Sequence, residues 1–447
     1  MGRNNQQRRA DNKRRQQRRQ GGRPTAGQWR AAGGHHEIKL LVVSAAHAAV
    51  AGTPDELDEM LAALERTSEV VGRRAVGAAV GDLTSSVLAS AWEGGWQPAE
   101  VARVLQRRCS GRHRELVATA IAAEADARVG RGDPPDAWAA QLEALGATRW
   151  WGAASDWLEP WSRRCSLSWS ETLGEAIDTI SVIMTLPVIE QLLPPPSRWG
   201  DPTVRWARRA PDDPVLGKVR ALLAKAESTS FAAEAEALTA KAQELMARHA
   251  IDDALARAGG GERPQSPVAR RIFIDDPYAS AKSSLLLVVA EANGARCIWY
   301  DRFAMMAVVG FGADLDAVDI LFTSLLVQGT RAMLAKGSVT DRRGHSRTRS
   351  FRQSFLVAFS SRIRERLQAA ATAARQGAEQ ELGISLLPVL AGRASDIDAA
   401  VDEMFPHVVR RAGPAVTNQA GWIAGRTAAE LATLGPEHRS LADVTAP

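Results

Sequence analysis

Histidines, cysteines and paired acids are the residues that most often do chemistry. In this 447-residue chain their spacing matches no familiar site. Eight histidines stand at 35, 36, 47, 113, 249, 345, 407 and 438. None sits in an H-E-x-x-H helix or in an H-x-E set beside paired cysteines, which argues against zinc hydrolases and deaminases. Cys109, Cys165 and Cys297 lie far apart. That fits neither a disulfide framework nor a zinc cluster, and points to a reducing compartment. The phosphate-cradling G-x-x-x-x-G-K-[ST] loop and the G-x-S-x-G elbow do not occur. Gly310-x-Gly312 lacks the third glycine of a dinucleotide fingerprint. Glu234, Glu236 and Glu244 could share a metal with His249, but solvation of a helix face accounts for the same acids. Neither a cofactor nor a metal is expected.

Anion binding is the chemistry the composition does offer. Lys336, Arg342, Arg343, Arg347, Arg349 and Arg352 fall in one stretch with a single acid, Asp341, and with His345 and two glycines. Guanidinium groups beside a helix N-terminus suit phosphate or carboxylate. A basic surface loop without a ligand is the other reading of the same residues. A second basic stretch opens the chain. Residues 1–30 hold ten Lys/Arg, among them Arg14, Arg15, Arg18 and Arg19, against Asp11 alone, whereas the remaining residues carry a net charge of −4. This Arg/Gln/Asn/Gly-rich tail has too little apolar surface to offset the entropy of ordering, so disorder is expected over 1–36. It reads as an electrostatic arm on nucleic acid or as a solubilising extension.

Positioning these groups falls to a mainly helical chain. From Glu37 to about Arg209 the pattern is helical. Thr53-Pro54-Asp55-Glu56 is a capping-box start with proline at the first helical position. Gly95-Trp96-Gln97-Pro98 opens a further helix, and Asp133-Pro134-Pro135-Asp136 and Ser168-x-x-Glu171 open others. Two helices about Ser110-Gly111 form either a solvated pair or a helix-turn-helix with Arg103, Arg107, Arg108, Arg112 and Arg114 toward phosphate. Eleven of 13 Trp precede residue 207. The cluster Trp150, Trp151, Trp157, Trp161 and Trp169 reads better as a packing layer than as a base-stacking platform, because few basic residues interleave it.

After the Pro194–Pro196 break, residues 214–253 read as two amphipathic helices joined by a polar turn at Glu227–Ser230. Val215, Leu216, Val219, Leu222 and Leu223 line one face, and Leu238, Leu245 and Met246 line the other. So short a turn folds the pair antiparallel. The run AEAEALTAKAQELMARHAID resembles the helical hairpin of the family catalogued as domain of unknown function 2786. "GWQPAEVARVL" resembles, more loosely, the N-terminal part of actinobacterial relatives of that family, and "GWIAGRTAAELATLG" the end of such proteins. The resemblance implies architecture, including a second uncharacterised domain after the hairpin, and no chemistry.

Beyond Gly259-Gly260-Gly261 the period changes. Residues 270–274, 297–300 and 305–309 read as strands, and 280–292 and the stretch from Asp314 as helices. This β-α-β-β-α order implies a small sheet with helices on one face. Asp314 is read as a helix cap, and Ser350-x-x-Gln353 as a capping box before a Phe351, Phe355, Phe359 core stripe. A short helix is expected at 397–405. The last helix, 416–434, stops at Gly435-Pro436 and shows a face of Ala420, Gly421, Ala424, Gly425 and Ala428, suited to close packing or to a subunit contact.

The expected fold is thus mainly α with a small α+β domain. It comprises a basic tail (1–36), a Trp-rich helical domain (37–209), an antiparallel helical hairpin (210–256), a linker (257–269), a β-α-β-β-α unit (270–376) and trailing helices (377–447). The expected function is non-enzymatic binding of DNA or RNA through the tail and the 336–352 loop. An enzyme with a site between hairpin and α+β domain is an alternative, and a structural or assembly protein is another. A cytoplasmic protein without a membrane span is expected, since the most apolar run, 177–193, is broken by Asp178, Pro187 and Glu190. An oligomer could form through the 416–434 helix.

Overall fold

A computed structural model of the chain describes residues 33–128, 132–152, 156–201, 266–341, 343–408 and 414–432, with single positions between 218 and 255. The chain divides into two compact units, Met1–Trp206 and Ala207–Pro447. The fold is mainly α with one small antiparallel sheet, as the sequence pattern implies.

The first unit contains α1 (Gly33–Ala51), α2 (Pro54–Val71), α3 (Arg73–Glu93), α4 (Pro98–Arg108), α5 (Gly111–Asp126), α6 (Asp136–Ala144), α7 (Leu158–Arg164) and α8 (Trp169–Met184). α1 starts at Gly33, so the last four residues of the tail expected over 1–36 are helical, and His35 Nε2 lies 3.0 Å from the Asp82 carboxylate. Two helix starts follow the sequence closely. Glu171 N donates to Ser168 Oγ and Ser168 N to the Glu171 carboxylate, a complete capping box. Gln97 N donates to Glu100 ahead of Pro98. At Thr53 the chemistry differs: its hydroxyl donates to the Glu56 carboxylate at 2.9 Å and caps no backbone N–H.

Tryptophans fill this unit. Trp92, Trp96, Trp138, Trp151, Trp157, Trp161 and Trp169 are buried. Two of their polar edges find partners: Trp96 Nε1 donates to Pro187 O at 2.7 Å, and Trp169 Nε1 to Ser68 Oγ at 2.7 Å, whereas the indole nitrogens of Trp92 and Trp161 are buried without a hydrogen-bond partner. The packing-layer reading therefore holds for Trp151, Trp157, Trp161 and Trp169. Trp150 is half-exposed beneath the Arg164 guanidinium. Replacing a buried ring of this kind by alanine costs about 3–5 kcal/mol. The turn into α4 depends on Gly95, whose φ is 90° and whose Cβ would run into the Ile189 carbonyl.

The second unit contains β1 (Val268–Phe273), α9 (Ala279–Ala292), β2 (Arg296–Tyr300), β3 (Met305–Gly310), α10 (Gly312–Ala335), α11 (Thr348–Leu382), α12 (Leu387–Met404) and α13 (Gln419–Leu431). The sheet order is β1-β3-β2 and both pairings are antiparallel. The expected β-α-β-β-α order is present, but the expectation of helices on one face is corrected. α9 and α10 pack against the sheet, α12 packs against β2 and β3, and every residue of β3 is buried. The reason is in the strand itself: an unbroken apolar run has two faces to bury.

Further local corrections follow from tertiary contacts. Asp314 is not a cap, since α10 starts after Phe311. Asp314 is buried in the first turn and ion-paired with Arg393 of α12. Ser350-x-x-Gln353 is not a capping box, because α11 begins earlier at Thr348, and the Ser350 hydroxyl donates to Arg347 O inside its first turn. The helix expected at 397–405 is the end of the longer α12. α10 is also, among the described residues, the one helix long and apolar enough by length and composition to cross a bilayer, which the sequence reading passed over. Leu315, Val318, Leu321, Phe322 and Leu325 of that helix lie in the core of the unit.

α13 packs closely along α11. Gly421 and Gly425 are buried against it, and a Cβ at either would meet the carbonyl oxygen of Phe351 or of Phe355. The small-residue face is therefore used in close packing within the chain.

Candidate nucleic-acid interface

The basic stretch 336–352 joins α10 to α11, and its shape follows from a few polar contacts. Gly337, at φ 66°, turns the chain after α10. Thr340 and Ser346 form an isolated antiparallel bridge. Beside it Arg347 N donates to Val339 O at 2.7 Å, and Val339 N donates to Thr348 Oγ1 at 3.0 Å. Thr348 thus closes the loop and opens α11 together, which is why the helix starts before Ser350.

Asp341 organises the tip. One carboxylate oxygen accepts Arg343 N at 2.9 Å and His345 N at 3.0 Å. The other takes Arg347 Nε at 3.2 Å, and His345 Nδ1 stands 3.5 Å from the carboxylate. The backbone N–H of His345, then that of Arg343 and the Arg347 guanidinium, hold the Asp341 carboxyl below its ordinary range despite partial desolvation. The lone acid of the stretch is consumed in shaping it.

The candidate cations fall into three groups. Lys336, Arg343 and Arg349 are exposed, and among the described residues none is paired with a carboxylate. Arg347 is exposed and shared with Asp341. Arg352 is half-buried, with its Nε buried and without a hydrogen-bond partner. Arg342 and the tail residues Arg14, Arg15, Arg18 and Arg19 lie outside the described residues. So do the expected hairpin turn and the stop at Gly435-Pro436.

Other sequence candidates are engaged elsewhere. In the α4–α5 pair Arg112 Nε is 3.2 Å from Glu175 of α8, and Arg108 reaches Thr185 Oγ1 at the end of that helix at 3.3 Å. These two arginines serve packing of the unit. His113, to which the sequence reading gave no role, is buried at the same place. Its Nδ1 is 2.8 Å from Ser110 Oγ and 3.4 Å from Glu175, and its Nε2 is 3.9 Å from Asp178. Ser110 is the N-cap position of α5, so the hydroxyl–imidazole contact is a helix-start contact at i, i+3. The three cysteines are free, and burial pushes the Cys297 thiol well up. Among the described residues no three His, Cys, Asp or Glu side chains gather as a metal site. Glu234, Glu236 and His249 lie outside them.

By fold and site, then, this is a mainly helical protein with a small α+β unit that carries a shaped basic loop and shows no assembled catalytic group among its described residues. Residues 215–253 match the family described as protein of unknown function, DUF2786. No curated protein and no solved structure matches the chain.

The matched segment is anchored in the second unit. Val219 and Met246 are buried in that unit's core, with Leu222 and Leu245 packed against it. Ile251 packs with Ala378 and Leu386, Arg248 Nη2 is 2.6 Å from Glu381, and Ala250 O accepts Arg393 Nη1 at 2.8 Å. The described signature residues hold α11 and α12 in place.

Proposed function

We propose that this protein is a non-enzymatic nucleic-acid-binding protein of a reducing, cytoplasmic compartment. It grips the phosphate backbone through the 336–352 loop, with the Arg-rich tail as a second contact. The observation that carries this reading is the fate of Asp341. Its bonds to Arg343 N and His345 N fix the loop, and Lys336, Arg343 and Arg349 stay exposed around it. Exposed guanidinium and ammonium groups gain by releasing counterions from phosphate. Three free cysteines support the compartment.

Binding to single- and double-stranded oligonucleotides is measured against salt with the full-length protein. Affinity is expected to fall linearly in log–log form. Arg343→Ala, Arg347→Ala and Arg349→Ala together should flatten the single-strand slope by about 2, at about 0.7 per lost phosphate contact. Absence of binding at low salt would overturn the proposal. Binding that is unaffected by the triple substitution would move the site off the loop.

A further inference from the structure

Beside the basic loop the chain forms a shallow depression at the start of α13, lined by Val416, Thr417, Asn418, Gln419 and Trp422. We infer that this depression takes a single unstacked base of single-stranded nucleic acid, stacked on Trp422, while the neighbouring loop holds the phosphates. The inference rests on the polyanion reading of the loop and adds to it a ligand class and a specificity element.

Three observations carry it. The first is the lining: an indole and a valine supply an apolar platform, and a threonine and two side-chain amides supply donors and acceptors at its rim. A base presents the complementary surfaces, a flat π-face and a polar edge, and aromatic stacking tolerates every base. Val416 is 43% exposed, so part of the platform faces solvent.

The second is that the backbone that carries Trp422 is fixed before anything binds. Asn418 Oδ1 accepts Gly421 N at 2.9 Å and caps α13. Thr417 N and Asn418 N both donate to Ser354 Oγ of α11, at 3.2 and 3.0 Å. Gly421 is pressed on the Phe351 carbonyl, which leaves the first turn of α13 no room to shift. A backbone already held in place loses little freedom on binding.

The third is connection and charge. Asn418 Nδ2 lies 3.5 Å from Ser350 Oγ, and Ser350 Oγ donates to Arg347 O at 3.0 Å. The depression therefore adjoins the turn that carries Arg347, in a stretch whose exposed charged side chains, Lys336, Arg343, Arg347 and Arg349, are all basic. An anionic chain with flat bases is the occupant that both features suit. Bases inside a duplex are stacked on one another and cannot reach such a platform, which selects single strands.

The test uses the full-length protein and fluorescence anisotropy with a labelled oligothymidylate of about 15 nucleotides, and with an abasic oligonucleotide of equal length. The wild-type protein should bind the base-bearing strand at least about fivefold tighter than the abasic one. Trp422→Ala should abolish that preference and Trp422→Phe should keep most of it, while both retain the salt slope. Equal wild-type affinity for the two strands, both salt-dependent, would overturn base stacking and leave the loop proposal standing. A preference unchanged in Trp422→Ala would overturn it as well. Failure of both strands to bind at low salt would overturn the loop reading and this inference together. Displacement by polyglutamate as effective as by the oligothymidylate would favour an acidic polypeptide and defeat the inference. The wild-type comparison of strands needs no variant, so it stands even if Trp422→Ala fails to fold.

Discussion

Asp341 shows how one residue decides whether a run of arginines has a shape. By its count of charges it is a minor neutraliser of the loop. By its bonds to Arg343 N, His345 N and Arg347 it is the post around which the loop is wound. Asp341→Ala should speed amide exchange at Arg343 and His345 without moving the thermal midpoint, because the loop is exposed and adds little to the core. Hydrogen exchange with mass spectrometry reads this, and unchanged protection would show that the bridge between Thr340 and Ser346 suffices. The pH dependence has a definite sign. The carboxyl is held below its ordinary value of 3.8, so the order it provides is complete above that value and is lost as pH falls through the lower folded value. Loop order should therefore persist at neutral pH and fail only in strong acid.

At the scale of elements, the α11–α13 pair is an example of backbone meeting backbone through glycine among the described residues. Gly421 and Gly425 let the two backbones touch, and Arg366 of α11 donates to the carbonyls of Ala429 and Ala432 at the far end of α13. Arg426 of α13 bonds Glu365 across the pair and Arg362 bonds it within α11, and with Arg426 first they pull its carboxyl down to about 2. Gly425→Ala places a methyl against the Phe355 carbonyl and should destabilise the protein by about 1–3 kcal/mol, as overpacking does. Calorimetry should show the lowered midpoint. An unchanged midpoint would mean that α13 can slide, which would also loosen the platform around Trp422. The fused glycine and alanine face was legible in the sequence as a packing face. Whether it met another subunit or the same chain was not, because a stripe of small residues says how close a partner comes and not which partner it is.

At the scale of the whole molecule, the two units carry separate aromatic reporters. Eleven of 13 Trp fall in Met1–Trp206, and the second unit has Trp299 and Trp422. The second unit is locked by a buried pair, Arg393 with Asp314, whose side chains are 10% and 7% exposed, and Arg393 lies over the Phe311 ring and bonds Ala250 O of the matched segment. Arg393→Met leaves Asp314 buried without its charge partner, which costs about 3 kcal/mol or more. In urea, far-ultraviolet circular dichroism should show an earlier transition for the second unit. The main tryptophan fluorescence transition should stay where it is. A common shift of both signals would show that the units unfold as one.

Local pattern determined most of the elements. The capping box at Ser168, the proline starts at Pro54 and Pro98, the three strands and the Phe351–Phe359 stripe could all be read from neighbouring residues. Each is decided by contacts a few positions apart, or by a period of two or 3.6. The 215–253 segment was likewise recognisable from its own residues. What stayed hidden depended on partners far along the chain. Asp314 reads as a cap until Arg393, 79 positions away, is folded onto it. The sheet reads as one that needs helices on one face until α12 returns to cover the other. Arg112 looks free for phosphate until Glu175 is beside it. Trp422 is one more apolar residue on a helix until α11 seats the start of that helix next to the basic loop. Sequence spacing fixes which side chains share a face of one element. Only the tertiary fold decides which charges are already spent on each other and which are left to meet a ligand.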